Sequence, residues 1–136
     1  MAGNRIRFDP VTLAGVVAGW CFISCVSFSL SENLIQHQLY QGLAQFGLRN
    51  TQYAWITGMD GLLLTYAMRM HSSMRARCLI SLGSSFFWLI IGCQVVKSGL
   101  SSGVFDRSGF WDLVCGVCCG FATIEWPFHN RVKNHG

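Results

Sequence analysis

Residues 11–30 read VTLAGVVAGWCFISCVSFSL, and residues 78–96 read CLISLGSSFFWLIIGCQVV. Neither stretch contains a formal charge, and each is long enough for a helix of about 30 Å, the thickness of a bilayer's hydrocarbon core. A soluble helix with one wet face rarely runs so far without a charge. The two stretches therefore predict membrane-spanning helices, and the rest of the chain is read around them.

Two weaker stretches, 52–68 and 110–128, have the right length for further spans. The first carries Asp60, and the second has Asp112 and Glu125 near its ends. The connecting segments sort their basic residues by turn. Arg5 and Arg7, then Arg69, Arg75 and Arg77, then Arg131 and Lys133 fall on one side of a four-span arrangement, whereas Arg49, Lys97 and Arg107 fall on the other. By the positive-inside rule this bias puts both termini in the cytoplasm. Asp9 and Pro10 suit the start of the first helix, because proline fits the first turn and an acid complements the positive helix end. The apolar run after Arg7 exceeds the core of a usual secretory signal, so it is expected to stay as an uncleaved span.

The expected fold class is therefore all-α, an integral membrane four-helix bundle forming a single transmembrane domain over residues 1–136. An additional amphipathic interfacial helix is expected on the outer face near residues 33–48. There Ile35, Leu39, Leu43 and Phe46 recur at helical spacing, and Gln36, Gln38, Gln41 and Gln45 fill other positions. The segment from Lys97 to Gly109, rich in serine and glycine, is expected to be a flexible outer loop. Tyr53, Trp55, Trp111 and Trp126 are expected at the membrane interfaces.

Charged residues are only 12% of the chain, hydrophobic residues are 51%, and the net charge is +4. The scattered basic residues suit anionic lipid and not nucleic acid. Arg69, Arg75 and Arg77 are expected to anchor a tight cytoplasmic turn on lipid phosphates. All seven cysteines fall within or at the ends of the expected spans, which argues against a secreted disulfide framework. Cys115, Cys118 and Cys119 lack a second ligand pair for a structural zinc site, so no metal or other cofactor is expected. Gly116 and Gly120 interleave with these thiols as a GxxxG, as Gly15 and Gly19 do in the first span, and helix packing is the expected role of both pairs. No phosphate loop, HExxH or GxSxG occurs, and an enzyme is not expected.

Asp60 is the leading candidate for a functional residue. It lies eight residues from the outer end of its span and nine from Arg69. An ionised acid at that depth costs about 2.5 to 3.5 kcal/mol by insertion scales, so it must face the bundle interior, a pore or another subunit. Thr57 and Gln94 are the other polar candidates within the spans. If the spans alternate, Cys21, Trp88 and Cys118 or Cys119 share the depth of Asp60, and no lysine or arginine does.

The segments LYQGLAQFG from Leu39, YAWITGMDGLLL from Tyr53 and MRARCLISLGSSFFWLI from Met74 make up a little over a quarter of the chain. The spacing of Tyr40, Trp55, Arg75, Arg77 and Trp88 within them resembles that of small polytopic membrane proteins of tailed bacteriophages. The resemblance implies a membrane role in infection or lysis; with the small size, the absence of catalytic motifs, the serine-rich faces and one acid within a span, the leading expectation is a holin-like oligomeric protein that permeabilises or remodels the host inner membrane. Two alternatives stay open. One is a non-catalytic accessory subunit docking a larger complex or virion component, and the other is a small ion or proton channel or transporter that uses Asp60.

Overall fold

Asp9 organises the start of the first helix. Its carboxylate accepts the Val11 N–H at 3.3 Å and the Thr12 hydroxyl at 2.8 Å, while Pro10 occupies the first helical position, where a missing N–H costs nothing. A computed structural model describes residues 7–30, 41–69, 73–103 and 107–134. Its helices are α1 (Pro10–Leu30), α2 (Gln41–Ala44), α3 (Asn50–Met68), α4 (Met74–Ser102) and α5 (Arg107–Asn134). The architecture is all-α with four long helices packed together. Among the described residues two helices, α1 and α4, are long and apolar enough to cross a membrane.

Local chemistry sets the boundaries. Gln52 Oε1 accepts the Arg49 N–H at 2.8 Å at the start of α3, and Ser73 Oγ accepts the Ala76 N–H at 3.2 Å at the start of α4. Helix α4 continues past the expected end at Val96. Ser101 and Ser102 donate to the carbonyls of Lys97 and Ser98, folding their hydroxyls back onto the helix. Gly103, at φ 70°, then stops it in the left-handed conformation that glycine adopts most readily. Helices α4 and α5 thus take in Lys97–Ser102 and Arg107–Gly109 of the segment expected to be a long loop, and residues 104–106 lie outside the described residues.

Half of the expected amphipathic helix, including Ile35, Gln36, Gln38, Leu39 and Tyr40, lies outside the described residues, as do Arg5 and the side chains of Gln41 and Lys133. In the described part, α2 is a four-residue helix, ended by a turn in which Gly47 has φ 69°. Leu43 is fully buried while Phe46 is 51% exposed, so the two do not share a buried face. Tyr53 clamps this segment. Its hydroxyl donates to the Leu43 carbonyl at 2.9 Å, and its ring stacks on Phe28.

Helix α1 packs chiefly on α3, and α4 on α5; contacts of α1 with α5 and of α3 with α4 close the bundle. Its centre holds Val17, Ala18, Cys21, Leu64, Trp88, Cys115 and Cys119. Helix α5 continues through Pro127, which has no N–H to give the Thr123 carbonyl four residues before it. The Cys78 thiol of α4 donates to that carbonyl instead, at 3.8 Å.

Candidate functional site

The polar centre of the bundle is the carboxyl of Asp60. Gly58 and Gly61 flank it on α3, where a Cβ would lie 3.1 Å from Cys25 Sγ and 3.0 Å from Cys21 Cβ respectively. These glycines let α1 come close enough for the Cys21 thiol to donate to Asp60 Oδ2 at 3.3 Å. From the other side α4 offers Ser84 and Trp88, four residues apart and so on one helix face. Ser84 Oγ donates to Asp60 Oδ2 at 2.7 Å and Trp88 Nε1 donates at 2.9 Å. Trp88 is 1% exposed, and Phe87 meets it edge-on at 5.3 Å. One carboxyl oxygen thus gathers three neutral donors from two neighbouring helices. This arrangement offsets the cost of placing an acid away from water.

A second acid is buried beside α1. Asp112 is 5% exposed and accepts the Trp20 indole N–H at 2.7 Å. The sequence pattern places Asp112 at a span end, but α5 begins earlier and carries it inside the bundle. Further along, Trp126 is fully buried and its N–H donates to Ser81 Oγ at 3.0 Å, which corrects the expectation of an interfacial tryptophan. Tyr53 likewise turns inward, at 2% exposure, whereas Trp55 is 74% exposed.

The other expected site residues divide. Thr57 is buried, but its hydroxyl returns to the carbonyls of Tyr53 and Ala54 and does not reach Asp60. Gln94 is half-buried on α4, six residues beyond Trp88, and is not among the donors to Asp60. Arg69 and Arg75 are exposed, as an anchoring role requires. Arg77 departs from that role: it is 7% exposed, its Nη2 donates to the Arg69 carbonyl at 2.8 Å, and its guanidinium lies 5.1 Å from the Trp126 ring centre. A cation there complements the negative end of α3.

The two glycine pairs also behave differently. A Cβ on Gly116 would fall 2.6 Å from Leu89 Cγ, and one on Gly120 would fall 3.3 Å from Ser85 Oγ, so this pair seats α5 on α4. Ser85 adds a hydrogen bond to the Gly116 carbonyl at 2.7 Å. On α1, Gly15 meets only Met68 Sδ at 3.5 Å, and nothing lies within 4 Å of Gly19, so no such seam forms there. Gly92 and Gly109, which belong to no GxxxG, are tight contacts of the same α4 and α5 seam. Among the described residues, no group of three or more histidine, cysteine or acidic side chains is placed to hold a metal ion.

Chemically, the Asp60 cluster accepts hydrogen bonds and can hold a proton or face a cation. Comparison with protein families, curated proteins and solved structures finds no match to this chain.

Proposed function

We propose that this chain is a four-span integral membrane protein that acts, in a holin-like manner, by assembling copies that permeabilise or remodel a bacterial inner membrane. The observation that carries the membrane reading is an inverted distribution of polarity. Thr57, Ser81, Ser84, Ser85 and Asp112 are buried, while Val16, Ile23, Leu62, Leu79, Phe86 and Ile124 are each more than half exposed. The outward faces of α3 and α5 are apolar too, with Trp55, Met59 and Leu62 on one and Phe110, Val117 and Phe121 on the other. Water-soluble monomers rarely expose apolar surface on every element. The 19 residues of α3 reach about 28 Å at about 1.5 Å each, enough for a span when its acid is turned inward. In this reading both termini are cytoplasmic, and the exposed Arg69 and Arg75 meet lipid phosphates.

Assembly follows from the filled centre. Val17, Cys21, Leu64 and Cys119 are fully buried where the helices meet, so a passage across the bilayer has to form between copies. Expression in bacteria with a potential-sensitive dye tests the proposal. Collapse of the potential, with a ladder of homo-oligomers after mild detergent extraction, is the expected result; unchanged potential and viability at high expression overturn it. A stable complex with a different protein, without loss of potential, instead favours an accessory subunit. A transporter working through Asp60 predicts a flux in liposomes that Asp60→Asn abolishes.

A further inference from the structure

On the outer side of Asp60, α3 and α4 leave an open groove of about 400 Å³ lined by Trp55, Ile56, Met59, Asp60, Leu63 and Phe87. Asp60 is the one ionisable residue in that lining. Its hydrogen bonds from Cys21, Ser84 and Trp88 all end on Oδ2. No described side chain bonds Oδ1, and among the described residues no buried side-chain oxygen or nitrogen lacks a partner. Oδ1 therefore keeps some accessible surface, on a residue that lines the groove.

The walls restrict what that occupant can be. They offer no second oxygen ligand for a metal ion, which takes six or more oxygens as calcium or near-octahedral ligation as magnesium. They include two aromatic side chains, Trp55 and Phe87, of the kind whose ring faces attract cations. On the four-span reading, on which this inference rests, the groove opens into hydrocarbon. A strongly hydrated cation does not enter hydrocarbon, whereas an ion with its charge spread under apolar groups does. Oδ2 is already held by its donors, so the carboxyl is oriented before anything binds.

We propose that the α3 and α4 groove binds a hydrophobic organic cation, a quaternary ammonium or phosphonium ion with aromatic or alkyl substituents. Asp60 Oδ1 faces its charge, and Trp55 and Phe87 cover its body.

The test uses the full chain in maltoside micelles and measures binding of tetraphenylphosphonium by equilibrium dialysis against empty micelles. Saturable binding of one ion per chain is expected, with tetraphenylborate, an anion of the same shape, failing to bind. Asp60→Asn, which keeps an oxygen acceptor for the three donors, should weaken binding about tenfold or more. Trp55→Leu, on the exposed rim, should weaken it about two- to tenfold without touching the interior. Equal binding of the two ions overturns the proposal without reliance on any variant. So does undiminished binding to a folded Asp60→Asn protein, or cross-linking of Trp55→Cys chains to each other with no cation bound, which makes the groove an interface between copies. Because binding is read in micelles, its failure is distinct from failure of the four-span reading, which accessibility labelling of Arg49→Cys and Arg75→Cys from the two sides of intact cells decides.

Discussion

The Trp20 indole N–H donates to Asp112 Oδ1 at 2.7 Å, joining α1 to α5 across 92 residues of sequence. Trp20 also stands 6.4 Å from Trp111, ring centre to ring centre, so the donor is held by packing as well as by its acceptor. Trp20→Phe keeps most of the ring and removes the N–H. Its expected cost is about 0.5–1.5 kcal/mol, the net worth of a typical intramolecular hydrogen bond. Unfolding by dodecyl sulfate in mixed micelles measures this, and an unchanged midpoint would refute a stabilising role.

Asp60 permits a graded experiment. Asp60→Asn retains an oxygen for Cys21, Ser84 and Trp88, whereas Asp60→Leu leaves all three donors facing an apolar side chain. The expected cost of the leucine variant is about 2–5 kcal/mol, and that of the asparagine variant is smaller. Because Ser84 and Trp88 share one acceptor atom, Ser84→Ala and Trp88→Phe are expected to be non-additive by about 0.5 kcal/mol or more. The same mixed-micelle titration reads both effects, and equal costs for asparagine and leucine would show that acceptance by Asp60 contributes nothing.

Glycine substitutions separate the two GxxxG patterns. Gly116→Ala sets a methyl 2.6 Å from Leu89 Cγ, and Gly92→Ala sets one 2.8 Å from the Leu113 backbone nitrogen. Each is expected to destabilise the bundle by about 1–3 kcal/mol, as overpacking does. Gly19→Ala meets nothing within 4 Å and should gain about 0.5–1 kcal/mol in helix propensity. Loss of stability in Gly19→Ala would point to a contact made by another molecule.

Asp9 supplies a pH dependence at the exposed start of α1. The Thr12 hydroxyl, then the backbone bonds of Val11 and Thr12 and a weak attraction to His129 at 4.0 Å, outweigh partial desolvation and hold its carboxyl below its ordinary value of 3.8. A depressed carboxyl contributes stability in full above its unfolded value. That contribution is lost as pH falls from about 3.8 through the lower folded value. Protection of the Val11 and Thr12 amides, measured relative to intrinsic exchange, should therefore fall over that acidic window, and Asp9→Asn should remove this pH dependence of protection. Exposure of Asp9 keeps the effect local to the first turn.

Much of the helical layout is legible in residue types. The uncharged runs mark α1 and α4, and Asp9 with Pro10 marks a helix start. Counting inward from alternating ends puts Cys21 and Trp88 at the depth of Asp60, where both make hydrogen bonds to it. Rotation about each helix axis is less legible. Helices α1 and α4 are apolar around most of their circumference, so periodicity does not say which side faces in. That is why Arg77 reads as interfacial although it packs inside against Trp126, and why Ser84 does not stand out from Ser81 and Ser85. Isolated Gly92 and Gly109 give no pattern, because their need for closeness arises from Leu113, Val95 and Val96 on the facing helix. The end of α4 is missed for a different reason: a serine-rich run reads as a loop until its hydroxyls are seen to return to the helix.

The ring of donors around Asp60 also has an order in time. A ribosome delivers Cys21 before Asp60, and Ser84 and Trp88 only afterwards. While α3 is the last helix made, its acid has at most the weak thiol donor, and its two stronger partners arrive with α4. The carboxyl's set of donors is therefore complete only once the chain extends beyond Trp88.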